Sequence, residues 1–228
     1  MVDVLVTGGA GFIGSNYVRH ALEVHQDWRI TTLDKLTCAG RMETLKDVIG
    51  HPRHRFVRGD IADAPVAAPL VTASDIVVHF AAERHVDRSL LEAGESIRTD
   101  VIGTFVLLEV ARTAPSLRCF VQISTDEVYG SVAHGSSVET DELRPRNPYS
   151  ASKAGADRLA YSYWATCGVP GVITRASNNY GPFQFPEFEE GLKDTVRWYR
   201  ENEWWWRPIK EEDPAFRAYY QTQYGSRP

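Results

Sequence analysis

Cysteine is scarce: three in 228 residues (Cys38, Cys119 and Cys167), an odd number with no metal-ligand spacing. That excludes a disulfide scaffold, implies no metal site and suits reduced thiols in a cytoplasm. There is no basic excess either. Lys and Arg number 25 against 30 Asp and Glu, a net charge of −5, whereas nucleic acid or an anionic membrane requires a basic stripe. No apolar run approaches the length of a membrane span. The start, Met1-Val2-Asp3-Val4-Leu5-Val6, carries an acid and enters an apolar strand pattern at once, so no secretory signal is expected. With 43% hydrophobic and 24% charged residues, the chain is neither disordered nor collagen-like. It holds enough apolar material for one globular domain, or one and a half. The expectation is a soluble cytoplasmic protein with no nucleic-acid or membrane partner.

What is present is alternation. Short β-rich runs occur at Val2–Val6, Arg29–Asp34, Arg55–Arg58, Asp75–Phe80, Phe120–Ser124 and Gly171–Arg175. Several are nearly unbroken Val/Ile, as expected where a parallel strand is buried on both faces. Between them lie helical patterns. Ile13, Tyr17, Val18, Ala21 and Leu22 form one apolar stripe, and Ile97–Arg112 and Ser150–Thr166 form two further segments. Strands alternating with helices predict an α/β fold, a doubly wound parallel sheet with right-handed crossovers. From Pro186 the character changes. Phe188, Leu192, Val196 and Tyr199 make a helical stripe, and four of the six tryptophans fall between Trp198 and Trp206. Packing of a terminal helix on a core accounts for such a cluster, as would a ligand platform.

Thr7-Gly8-Gly9-Ala10-Gly11-Phe12-Ile13-Gly14 sits directly between the first strand and the first helix. Glycines at 8, 11 and 14 permit a tight turn, a close backbone approach to a pyrophosphate, and close helix–strand packing. The pyrophosphate then meets the positive end of a helix. Asp34 closes the second strand 20 residues after Gly14. A carboxylate there accepts both adenosine ribose hydroxyls and repels a 2′-phosphate, which favours NAD over NADP. Asp60, after the third strand, is a candidate adenine contact, although many strand ends carry an Asp.

Tyr149 and Lys153 stand four apart at the start of a predicted helix, hence on one face. A lysine cation beside the phenol would favour the phenolate and make Tyr149 a base near neutral pH. Ser124-Thr125-Asp126-Glu127 ends the fifth strand, and ligands of open α/β sheets bind at the carboxyl ends of strands. There the Thr125 hydroxyl can hold a substrate oxygen while Tyr149 removes its proton.

With these motifs the chain resembles the extended short-chain dehydrogenase/reductase superfamily and, within it, the dTDP-glucose 4,6-dehydratases. The matching stretches are Thr7–Gly14, Asp34–Thr37, Gly59–Ile61, His79–Glu83, His85–Ser89, Ile123–Gly130, Pro148–Lys153 and Ser177–Pro182. The resemblance implies a Rossmann-type domain over 1–187, and over 188–228 a C-terminal helical and aromatic tail, the remnant of a substrate domain. It implies NAD as cofactor, held by Gly8, Gly11, Phe12, Ile13, Gly14, Asp34, Lys35, Leu36, Thr37, Asp60, Ile61, Phe80, Ala81, Ala82, Thr99, Tyr149, Lys153 and Asn179. A nucleotide sugar would contact Arg84, Thr125 and Asn178. Catalysis would fall to Thr125, Asp126, Glu127, Tyr149 and Lys153. Tyr149 deprotonates the 4-hydroxyl, Glu127 removes the C5 proton acidified by the new ketone, and Asp126 lets the 6-hydroxyl leave as water. Two neighbouring carboxyls with opposite tasks need different pKa values.

Epimerases of the superfamily lack the Asp126-Glu127 pair. A homodimer is implied through helices matching Ile97–Arg112 and Ser150–Thr166. Relative to the family, roughly 100 residues, about one small domain, are expected to be absent between Glu187 and Phe188. Arg84 stands where a small hydroxyl residue is usual, and Asp100 replaces a common Asn. His85 matches its motif, but a lone His is as readily a structural hydrogen-bonder. The alternatives are a nucleotide-sugar epimerase or decarboxylase, or an inert NAD-binding remnant that dimerises.

Overall fold

In the computed structural model the apolar runs become six strands: β1 (Val2–Thr7), β2 (Trp28–Asp34), β3 (His54–Arg58), β4 (Ile76–His79), β5 (Cys119–Thr125) and β6 (Gly171–Ala176). The structure describes residues 1–37, 39–83, 93–132 and 135–184, with Arg197, Arg200, Glu201, Glu203 and Arg207 beyond them. The strand order is β3-β2-β1-β4-β5-β6, and every pairing is parallel. This is the doubly wound Rossmann order. The order reverses between β1 and β4, so the chain leaves their carboxyl ends in opposite directions and opens a crevice there.

Both faces of the sheet are covered. Leu5 of β1 joins one apolar cluster with Leu33, Val77, Leu107, Leu108 and Phe120. Its neighbours Val4 and Val6 join the other, with Val18, Ala21, Leu22 and Leu45. A side-chain period of two sends successive residues to opposite faces, and only a strand buried on both can be apolar throughout. The helices follow: α1 (Phe12–Val24), α2 (Ala64–Thr72), α3 and α4 (Pro148–Cys167). α3 runs through Ala93–Ser96, a π-helical stretch Ile97–Gly103, and Thr104–Ala111 in succession. The expected apolar stripe on the first helix and the segments Ile97–Arg112 and Ser150–Thr166 correspond to α1, α3 and α4. α2 and the π-helical stretch are additions.

β6 alternates between half-buried and exposed residues, and Val172 is 50% exposed. It is an edge strand among the described residues. It is tied down by Arg175, whose guanidinium pairs at 2.8 Å with the fully buried Asp157 of α4 and donates to the Tyr129 hydroxyl. No helix among the described residues is long and apolar enough to cross a membrane.

The chain divides into two compact units, Met1–Phe183 and Gln184–Pro228. In the second, Arg197, Arg200, Glu201, Glu203 and Arg207 are helical, and Arg207 pairs with Glu203 one turn away at 2.7 Å. The stripe Phe188, Leu192, Val196 and Tyr199, the tryptophan cluster, Cys38, Arg84 and His85 lie outside the described residues.

Candidate active site

The glycine turn forms the floor of the crevice. Gly8 has a φ of +70°, and a Cβ on it would stand 2.5 Å from the Ala81 backbone nitrogen. Only glycine lets the end of β1 approach the chain leaving β4 so closely. Gly11 donates to the Gly8 carbonyl at 3.1 Å and serves as N-cap of α1. α1 has neither a side-chain cap nor an acid in its first turn, so its N-terminal amides remain open to an anion.

A single cleft runs from this floor in both directions, with a cavity volume of about 210 Å³. It brings together Gly8, Gly11, Phe12, Ile13, Gly14, Asp34, Lys35, Thr37, Asp60, Ile61, Phe80, Ala81, Ala82, Thr99, Tyr149 and Lys153 of the expected cofactor set.

At one end, Asp34 accepts the Ala10 N–H through Oδ2 (3.0 Å) and the Leu36 N–H through Oδ1 (2.8 Å). Each oxygen keeps a further lone pair, enough for two adjacent hydroxyls. Burial raises the Asp34 carboxyl pKa against the pull of those two N–H groups. Asp60 receives Lys35 at 2.9 Å and Arg98 at 3.8 Å. Burial pushes its pKa up, but the Ala62 N–H, Lys35 and Arg98 together outweigh that, and the net shift is downward. Leu36 does not line the cleft. Its left-handed backbone, with a φ of +61°, sends the side chain into the α1-side core.

At the other end stand Tyr149 and Lys153, at the start of α4. An N-cap at Asn147, a capping box with Ser150 and Pro148 in the first turn start this helix two residues before the expected Ser150. Lys153 is buried and donates from Nζ to the Ile123 carbonyl at 2.8 Å. The expected phenolate is not favoured here. Burial pushes Tyr149 up to about 12, and the charges of Asp100, Glu127 and Asp126 add to it. Lys153 is itself lowered by burial, with Asp100 and Asp157 opposing the shift. The reason is burial first and then charge: the phenol is largely out of water, three carboxyls act on it, and the Lys153 ammonium is committed to a carbonyl.

Asp100, on the π-helical stretch of α3, is 1% exposed. It accepts the Glu83 N–H at 2.9 Å and the Ser152 hydroxyl at 2.6 Å. Burial raises it from its ordinary 3.8 to about 6, against Lys153, Ser152 and the Glu83 N–H. An acid whose pKa is higher folded than unfolded contributes stability below the unfolded value and loses it as pH rises through the folded one. Unfolding free energy should therefore fall by up to about 3 kcal/mol for this group between about pH 4 and pH 6.5. Urea midpoints at the two ends of that window should show the fall in the wild type and its absence in Asp100→Asn.

Thr125 ends β5 and caps the short 3-10 turn Asp126–Tyr129, its hydroxyl accepting the Glu127 N–H and donating to Asp126, both at 3.3 Å. Asp126 is exposed and Glu127 half-buried. The Glu127 carboxylate accepts the Asn147 side-chain amide at 3.3 Å. None of these three lines the cleft, but Asp126 and Glu127 lie close enough to raise Tyr149. Asn178 and Asn179 do not reach the cleft. They are exposed beyond edge strand β6, where the Asn179 amide turns back to the Ser177 carbonyl at 3.0 Å.

Sequence reasoning missed several wall residues: Ala39, Gly40, Glu83 and Ser124 also line the cleft. Ser124 Oγ is buried with no hydrogen-bond partner among the described residues. His79 is another. Its Nδ1 meets Thr7 Oγ1 at 2.7 Å and its Nε2 meets Thr104 Oγ1 at 3.0 Å. Because the Thr104 hydroxyl donates to the Asp100 carbonyl, His79 carries its proton on Nε2 and accepts from Thr7. Burial, with Lys153 adding, lowers its pKa to about 3, so it stays neutral. It ties the glycine-turn strand to Thr104, the first residue of α3 after the π-helical stretch. A histidine inside a four-residue buried strand was the available signal.

Residues 5–195 match the GDP-mannose 4,6 dehydratase family. The chain belongs to that family. Among relatives of this dehydratase-family chain, the dTDP-glucose 4,6-dehydratase of Streptomyces antibioticus is 54% identical over 206 residues, covering 86% of this chain and 60% of its own. The low-salt glycan biosynthesis protein Agl12 of Haloferax volcanii is 54% identical over 186 residues, covering 82% and 59%. Among solved structures, DesIV, a dTDP-glucose 4,6-dehydratase from Streptomyces venezuelae with NAD bound, superposes with a TM-score of 0.81 at 46% identity, over 86% of this chain and 62% of that one. The chain thus spans about 60% of the length of the curated relatives it matches.

Proposed function

We propose that this chain binds NAD and carries the active site of a dTDP-glucose 4,6-dehydratase, a lyase that removes water from a nucleotide-activated glucose to give the 4-keto-6-deoxy sugar. The observation that carries the reading is the acid pair Asp126-Glu127 at the end of β5, close enough to act on the Tyr149 phenol. An epimerase needs only to remove and return a hydride. A dehydratase must also take one proton and give another.

The cleft fits the cofactor. Gly8 leaves no room for a side chain beside Ala81, the amide end of α1 is uncapped, and Asp34 keeps free lone pairs at the far end. The orphaned Ser124 hydroxyl offers a polar contact in the wall near Tyr149. Bound NAD would supply the redox chemistry, taking a hydride from C4 and returning it at C6, so that it is not consumed.

The remaining steps belong to the chain. Thr125 holds the 4-oxygen, and Tyr149, once its own proton has gone to solvent, takes the proton of that hydroxyl as a phenolate. Lys153, one helical turn from Tyr149 on the wall of the same cleft, supplies the cation that would favour that phenolate with the ligands bound. Glu127 removes the C5 proton, and Asp126 gives a proton to the departing 6-hydroxyl. Arg84 and Asn178 would contact the nucleotide sugar, and Leu36 and Asn179 the cofactor; for Leu36, Asn178 and Asn179 this requires the cleft to reorganise on binding.

A homodimer in the cytoplasm completes the proposal. Ile97, Ile102 and Phe105 on α3 and Tyr161 and Trp164 on α4 are each 41–52% exposed. Large apolar side chains on two neighbouring helices suit burial against a second copy. A second reading, an NAD-binding chain without turnover, is favoured by Thr125, Asp126 and Glu127 standing off the cleft that Tyr149 and Lys153 line.

Mass spectrometry of the purified chain with dTDP-glucose and NAD decides between them. A product lighter by one water and carrying a ketone is expected. Its absence from folded, NAD-binding protein would overturn the dehydratase reading and leave the second.

A further inference from the structure

We propose that Asn147 is a positioning residue for Glu127, coupling the helix that carries Tyr149 and Lys153 to the carboxylate that takes the C5 proton. This rests on the dehydratase reading above. At the helix cap, Asn147 Oδ1 accepts the Ser150 N–H at 2.7 Å, and Ser150 Oγ in turn accepts the Asn147 N–H at 3.2 Å. An amide side chain has one acceptor end and one donor end. With the acceptor fixed on the cap, the donor end faces away from α4, and there it meets Glu127 Oε2 at 3.3 Å. Among the described residues, the Glu127 carboxylate takes its hydrogen bond from this amide.

The two partners are held in register independently of that contact. The Arg144 N–H donates to the Val128 carbonyl at 2.9 Å, binding the segment that leads to Asn147 onto the turn that carries Glu127. Gly130 has a φ of +80°, and a side chain there would run into the Arg144 carbonyl. The Tyr129 hydroxyl, next to Val128, is held by Arg175. The Asn147 amide therefore orients a carboxylate whose backbone is already fixed. Serine or aspartate can cap a helix as asparagine does, but serine is too short to reach Glu127, and aspartate presents an acceptor where the donor stood. The residue type at this cap thus decides whether the carboxylate is supported, ignored or repelled.

The test uses Asn147→Ser, Asn147→Asp and Asn147→Ala. The first two keep a cap, so their melting temperatures should stay near wild type, while alanine loses it. With dTDP-glucose and NAD, kcat should fall about tenfold in the serine variant and about a hundredfold in the aspartate variant at little-changed KM. The isotope effect from deuterium at C5 should grow, because proton removal at C5 becomes the slow step. Wild-type kcat in both variants overturns the proposal. So does an equal loss in all three with an unchanged isotope effect, which is the mark of a purely structural role. A second arm needs no turnover. In ¹⁵N-labelled protein, Glu127→Gln should move an Asn147 side-chain amide resonance and leave the Ser150 backbone amide in place; an unmoved side-chain amide overturns the contact. If the wild type itself makes no product, that outcome counts against the dehydratase reading, and the amide resonance alone decides for or against the contact.

Discussion

Tyr149→Phe is expected to slow formation of the 4-keto product by about 10²–10⁴-fold, the usual worth of a positioned acid–base group, while melting temperature and NAD affinity change little. In the chain without ligands, burial and three carboxyls hold the phenolic proton on, up to about 12, so replacing the phenol leaves no unpaired charge, while turnover loses the phenolate that accepts the 4-hydroxyl proton. The same value predicts the spectroscopy of the chain without ligands. A wild-type-minus-variant difference spectrum should show no phenolate absorbance from this residue at neutral pH and should develop it only as pH approaches about 12. The sign follows from the direction of the shift: an acid raised by burial keeps its proton to higher pH. Phenolate seen near pH 7 in that difference spectrum would mean that Lys153 outweighs the carboxyls. Turnover by Tyr149→Phe at the wild-type rate would remove Tyr149 from the mechanism. Lys153→Met serves as a partner variant. It removes the Nζ donor from the Ile123 carbonyl and the cation proposed to favour the Tyr149 phenolate, so it should be at least as slow.

The parallel sheet was legible in the chain because strands covered on both faces must be apolar at every position, and short runs such as Val4-Leu5-Val6 or Val77-Val78 meet that demand. The glycine turn was legible for a similar reason: only glycine tolerates the approach of Gly8 to Ala81, so the residue type records the geometry. α2 was not. Its sequence, Ala64-Pro65-Val66-Ala67-Ala68-Pro69-Leu70-Val71-Thr72, puts a proline inside a nine-residue helix, against intrinsic preference. Ala67 and Val71, both 0% exposed, hold it against the sheet through packing. The π-helical register of α3 left no periodic signature either, although it is what sets Asp100 among Glu83, Ser152 and Lys153.

Site residues divide along the same line. Positions singled out by backbone geometry or by spacing on one helix, such as Gly11, Asp34, Tyr149 and Lys153, lie on one cleft. The direction of the Tyr149 shift was not legible, because it depends on burial and then on Asp100, which lies 49 positions away in the sequence. Leu36, turned inward by a left-handed backbone, and Asn178 and Asn179, exposed beyond an edge strand, show the limit of motif matching. A motif carries residue identity, whereas the side chain's direction is settled by what packs around it.

Gly8→Ala is expected to damage both stability and cofactor binding. The new Cβ would meet three backbone atoms, Ala81 N at 2.5 Å, Ala81 Cα at 2.7 Å and the Phe80 carbonyl carbon at 2.8 Å, on a residue whose φ of +70° already disfavours any side chain. Backbone cannot move aside as a flexible side chain can, so left-handed strain and overpacking together should cost about 2–5 kcal/mol. Relief comes only by parting the carboxyl ends of β1 and β4, the two strands whose divergence makes the crevice. The same parting disturbs the Phe80 N–H bond to the Thr7 carbonyl and the His79 link to the Thr7 hydroxyl. Stability and cofactor binding should therefore fall together, with NAD affinity reduced at least about a hundredfold because the pyrophosphate needs the close backbone approach. Gly50→Ala is the control, since a Cβ there meets nothing within 4 Å. Urea unfolding and fluorescence titration with NAD read the two effects separately. Equal behaviour of the two variants in both would overturn the role given to the glycine turn. A loss of stability in Gly8→Ala with wild-type NAD affinity would separate the turn's packing role from cofactor binding, and the dinucleotide would then have to be held without it.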